Sequence, residues 1–128
     1  MTELVMGVNW LAVGVGTAAA FLLGALWYSP ILFVNVWAKG VGVNIEDKPE
    51  NMVATMITQL AATFLLSLVV GICAVGDQIA LAILVIVTIA ILLYAGGGYT
   101  QKSTYAKMVE SVYVIAMGAV MITCHVLF

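Results

Sequence analysis

The sequence predicts an all-α membrane protein: four transmembrane helices in an antiparallel bundle, with a short interfacial helix after the first span. Three observations lead there. Of 128 residues, 65% are hydrophobic and 8% charged, with a mean hydropathy of +1.21; a water-soluble core of that size cannot hide so much apolar surface. The apolar sequence falls into four runs, about 5–28, 49–75, 79–96 and 104–128, each near the length a helix needs to cross a ~30 Å hydrocarbon core at ~1.5 Å per residue. Finally, the run from Ile79 to Leu93 does not alternate apolar with polar residues, as a β-barrel strand would.

The N-terminus, MTELVMGVNW, has Glu3 but no basic residue. It lacks the basic region of a signal peptide, so the first span is expected to be retained. On that span Gly16, Ala20 and Gly24 recur every four residues, and Asn9 and Trp27 extend nearly the same face. Small residues so spaced let another helix backbone approach closely, which drives helix association in lipid. The partner of this seam is either another span of the chain or a second copy.

The uncharged run from Leu4 to Ala38 would make a helix of about 50 Å, too long for the core unless it breaks, tilts or turns along the surface. Pro30 supplies the break. Ser29 precedes proline and is a good N-cap, so a second, short helix is expected over Ile31–Lys39, lying in the interface and stopped by Gly40. A proline-kinked continuation is the alternative. Trp10 and Trp27 lie about 25 Å apart along a helix, so they, with Tyr28 and Trp37, read as interfacial anchors.

In the loop that follows, Asp47 and Glu50 resemble a capping box and Pro49 falls in a first turn, which starts the second span near Lys48. Asn51, Thr55, Gln59 (or Thr58), Thr63 (or Ala62), Ser67, Gly71 and Ala74 follow the helical period and point a polar, small face into the bundle. Gly76-Asp77-Gln78 forces a hairpin into the third span, whose single polar residue, Thr88, marks it as the lipid-facing helix. Gly96-Gly97-Gly98 is expected to end that span as a cap, with a close backbone contact or a hinge as alternatives. The last span starts near Ser103.

All four basic residues are lysines, Lys39, Lys48, Lys102 and Lys107, and all lie between spans one and two or three and four. The positive-inside rule places those loops in the cytoplasm and both termini outside. A net charge of −2, thinly scattered, points away from nucleic acid and from a polybasic lipid contact. The expected partners are the bilayer and either the chain itself or a larger membrane complex.

Asn9-Trp10, then Gly24, Trp27, Tyr28, Ser29 and Pro30, with Trp37 shortly after, resemble the opening of the small membrane-protein family catalogued as domain of unknown function 1761. Lys107, Glu110 and Tyr113 resemble the Lys, acidic residue and Tyr of that family's last span. The resemblance implies a four-span inner-membrane protein of bacterial type. The family carries no established activity, so no site is inherited from it.

Glu110 is the one acid well inside a predicted span, and an ionisable group there is a functional candidate by default. Lys107, three residues earlier on the same face, is the expected ion-pair partner. With Asn51, Thr55, Gln59 and Ser67 these two make a candidate polar pathway. Cys73, Cys124 and His125, with Met6 and Met121 at similar depth, are the candidate soft metal ligands, and Cys73 with Cys124 a candidate disulfide. They lack Cys-x-x-Cys or His-x-x-His spacing, so neither a metal nor any other cofactor is expected. With no arginine, one histidine and no glycine-rich phosphate loop, an enzyme is not expected either. Two function classes follow: a non-catalytic scaffold (a homo-oligomer or accessory subunit) or a channel or transporter for a small solute or ion.

Overall fold

The computed structural model describes residues 3–44 and 52–128. Among these there is no strand, and five helices follow in order: α1 (Trp10–Trp27), α2 (Val34–Val41), α3 (Met52–Val75), α4 (Ile79–Tyr99) and α5 (Thr104–Leu127). All but α2 are long and apolar enough to cross a membrane.

The first helix starts later than its apolar run. Asn9 caps it, its side chain accepting from the Ala12 N–H at 3.2 Å, and the five residues before Val8's end of the segment are turn, with Gly7 at φ +80. At the other end the Ser29 hydroxyl donates backward to the Leu26 carbonyl at 2.6 Å instead of capping a helix ahead. The Leu32 N–H closes a turn onto the Ser29 carbonyl at 3.0 Å, which puts Pro30 at the second position of a β-turn, where its fixed φ fits. The second helix therefore begins at Val34, not Ile31. It also runs through Gly40 and is closed by Gly42 in the left-handed conformation, φ +88. Gly40 has a different use: the Ser103 N–H donates to its carbonyl at 3.0 Å, and a Cβ there would collide with the Ser103 hydroxyl. Close approach at that glycine ties α2 to the start of α5.

Helix α5 touches the four others and is the most buried of the long helices, α4 the least. Its contacts with α1 run in reversed register: Met121 meets Gly16, Tyr113 meets Gly24, and Val109 meets Trp27. Helix α1 meets α3 the same way, the Ser67 hydroxyl donating to the Val13 carbonyl at 3.0 Å. A Cβ on Gly16 would lie 2.9 Å from Ser67 Oγ, and one on Gly24 would lie 2.5 Å from Tyr113 Oη; Ala20, between them, is fully buried. At the seam of Gly16, Ala20 and Gly24, α3 and α5 of the same chain make the contacts.

Helix α4 continues through all three glycines to Tyr99. Packing explains it: a Cβ on Gly97 would lie 2.6 Å from Lys107 Cγ, so of the alternatives the close contact holds there, while Thr100 makes the cap. Gln101, at φ +62, turns the chain into Lys102 and Ser103, and Ser103 caps α5 by accepting from the Ala106 N–H at 3.1 Å. Helix α3 packs by its second half alone. Thr63, Leu66, Ser67, Val70, Gly71 and Cys73 are buried, whereas every residue from Met52 to Ala62 is exposed.

Candidate functional site

Where the first half of α3 stands away from the bundle, a cleft of about 750 Å³ opens. Its floor is α5, and α1 and α4 contribute one wall each through Phe21, Ala25 and through Ile89, Leu93. Thr55, Gln59 and Thr63 of α3 face them. At one end sits Glu110.

The Glu110 carboxylate collects donors from two segments remote from each other in sequence. Lys102 Nζ donates to Oε1 at 3.0 Å and to Oε2 at 2.9 Å, and Trp37 Nε1 donates to Oε2 at 2.9 Å. The expected pairing with Lys107 is not made. Lys107 turns the other way, its ammonium 4.6 Å from the centre of the Tyr94 ring and its stem over Gly97, because the turn at Gln101 brings Lys102 back over the first turns of α5. The pair is largely enclosed, the side chains being 26% and 14% exposed. Charges so placed need mutual pairing and further hydrogen bonds to offset their desolvation, and Trp37 supplies one.

Aromatic rings complete this end. Tyr28 meets Trp37 edge-on at 5.5 Å and Tyr113 at 5.6 Å; Trp27 lies 4.8 Å from Phe33 and 5.9 Å from Tyr113. Trp27 Nε1 donates to the Val109 carbonyl at 3.0 Å, and Tyr113 Oη donates to the Ala20 carbonyl at 3.0 Å. Of the four residues read as anchors, then, Trp27, Tyr28 and Trp37 engage partners within the protein. Trp10, in the first turn of α1, is 53% exposed.

The candidate polar pathway divides. Thr55, Gln59 and Glu110 line the cleft. Ser67 is fully buried against α1 and Lys107 lies outside the cleft; Asn51 lies outside the described residues, as do the capping box of Asp47 and Glu50 and the start near Lys48. Gln59 Nε2 makes a long 3.5 Å bond to Thr63 Oγ1. Sequence reasoning missed Lys102 as a site residue, and Tyr113 as part of the floor; Tyr113 lies one turn beyond Glu110 on the same face, which is a usable signal.

Cys73 and Cys124 are buried free thiols, and among the described residues no three His, Cys, Asp or Glu side chains gather as a metal site would require. His125 Nδ1 lies 2.9 Å from the Met121 carbonyl, and its buried Nε2 has no hydrogen-bond partner among the described residues.

Neither the curated proteins nor the solved structures contain a match to this chain. A protein-family comparison does match, over residues 11–127, which takes in all five helices but for the first residue of α1. With nearly the whole chain covered, this protein belongs to the family described as "Protein of unknown function (DUF1761)".

Proposed function

We propose that the protein is a non-catalytic, four-span antiparallel bundle of the cytoplasmic membrane, with both termini outside and α2 in the cytoplasmic interface, and that it holds a small molecule in the cleft beside Glu110. The observation that carries this reading is the enclosed Lys102–Glu110 pair at the end of a cleft of about 750 Å³, within the usual ~300–1,000 Å³ of small-molecule sites. An ionisable pair inside a membrane is costly and is a functional candidate by default. The reading belongs to the solute-handling class, as a binding protein, channel or transporter. Ala62→Phe tests it, because Ala62 lines the cleft and is exposed, so the larger side chain fills space without disturbing the core. Small molecules retained through gentle native purification should be identifiable by mass spectrometry in the wild type and depleted in the variant. The same complement in both proteins would remove the reading.

The second reading is a homo-oligomeric scaffold or accessory subunit of a larger membrane complex. Its support is the exposed apolar first half of α3, where Val53 and Ile57 are 72% and 63% exposed. It no longer draws on Gly16, Ala20 and Gly24, which are occupied within the chain. Single-cysteine cross-linking from Ile57→Cys would capture a neighbouring chain under this reading and none under the first.

A further inference from the structure

The walls of the cleft change character together along its length. On α1, Tyr28 stands at one end and Phe21 seven residues deeper; on α3, Gln59 and then Leu66; on α5, Glu110 and then Met117. Seven residues of helix rise about 10 Å, so α1 and α5 pass from hydrogen-bonding to apolar side chains over about 10 Å, and α3 ends its polar series at Thr63 before Leu66. The polar end is the end that carries Lys102 and the α4–α5 turn. That gradient matches one leaflet of a bilayer, polar at the headgroup level and apolar below it. The flanks are apolar too: Ala25 of α1 and Met56 and Ala62 of α3 line the cleft and are exposed, so the cleft opens sideways.

The polar end selects a head. Lys102 and Glu110 are 2.9 Å apart and cancel. A purely anionic head drawn to Lys102 would be forced against the Glu110 carboxylate, and a purely cationic one against Lys102. A head carrying both an ammonium donor and an anionic acceptor can pair with both side chains and leave no enclosed charge alone.

From this we infer that the cleft is the binding site of a single-tailed zwitterionic amphiphile, its head at Lys102 and Glu110 and its tail directed toward Leu66 and Met117. The inference rests on the reading of the cleft as a small-molecule site and names the class of molecule. The test uses the full chain in maltoside detergent with Trp10→Phe, so that Trp27 and Trp37, both beside the polar end, report by fluorescence. The probes are a lysolipid brominated near the head end of its tail, with a phosphoethanolamine or a phosphoglycerol head, and water-soluble glycerophosphoethanolamine. Saturable quenching is expected from the phosphoethanolamine lysolipid, about tenfold tighter than from the phosphoglycerol one. Ala62→Phe should weaken both about tenfold or more, and Glu110→Gln should abolish the preference between heads while leaving tail-dependent quenching. Non-saturable quenching that Ala62→Phe does not change would overturn the inference. Equal affinity for the two heads would overturn its head-group part. If glycerophosphoethanolamine alone perturbs the fluorescence saturably and the lysolipids do not, the cleft remains a small-molecule site and the amphiphile is excluded; no response to any probe, together with unchanged retention in Ala62→Phe, removes both.

Discussion

At the level of single residues, Glu110 shows what a linear reading captures and what it misses. An acid within an apolar helix is visible in the sequence, and so is the need for a cation. The identity of the cation is not, because i, i+3 reasoning sees one helix, whereas Lys102 reaches Glu110 from the turn before it and Trp37 from α2. The difference is measurable. Lys102→Met leaves the carboxylate with Trp37 as its donor, and loss of a hydrogen bond to a charged group costs about 1.5–3 kcal/mol. Lys107→Met removes a cation–π contact worth about 0.5–1 kcal/mol. Unfolding of the two variants in detergent should rank them in that order; a larger loss for Lys107→Met would return the pairing to the one expected from spacing. The same limit applies to Trp27, Tyr28 and Trp37, whose positions near helix ends suit interfacial belts. Aromatic residues at such positions serve equally well as interhelix fastenings, and only the fold distinguishes the two uses.

At the level of helices, composition located the elements and glycine was misread as punctuation. Gly40 and Gly96 to Gly98 lie inside helices; at Gly40 and Gly97 a neighbouring segment approaches closely, which only a small residue permits. Gly118 carries this furthest: a Cβ there would run into Ile86, 2.8 Å from Cγ2 and 2.9 Å from Cγ1, at the centre of the α4–α5 contact. Gly14 is the natural control, because a Cβ there meets nothing within 4 Å. Gly118→Ala should destabilise the protein by about 1–3 kcal/mol, the cost of overpacking. Gly14→Ala should be neutral or stabilise by up to about 1 kcal/mol through helix propensity. Denaturant titration in mixed micelles reads both. Equal effects would mean that α4 and α5 do not meet at Gly118.

For the molecule as a whole, four apolar runs dictated four long helices, and hydropathy alone was enough for that. The cleft was not legible: hydropathy sums along the chain and carries nothing about whether a helix lies against its neighbours or leans away, and the helical period turns Thr55 and Gln59 into the bundle, whereas both are exposed. Orientation across the membrane rests on charge. Lys39, Lys102 and Lys107 all lie at the end of the structure where α2 meets the α4–α5 turn, and Lys48 precedes α3 in the sequence. The hairpin at Gly76 to Gln78 and the C-terminus at Phe128 lie at the other end and carry no basic side chain except His125 near the chain end. Moving these lysines outward against the positive-inside bias is unfavourable, so the polar mouth of the cleft should face the cytoplasm. Replacing Cys73 and Cys124 with alanine removes the buried thiols, after which Lys39→Cys and Phe128→Cys report the two ends. In spheroplasts a membrane-impermeant maleimide should label Phe128→Cys directly and Lys39→Cys only after permeabilisation. The reverse pattern would put Lys102 and Glu110 on the outside, where the head of a bound amphiphile would come from the outer leaflet; labelling of both in intact spheroplasts would mean that the chain inserts in two orientations and that the lysine bias does not direct it.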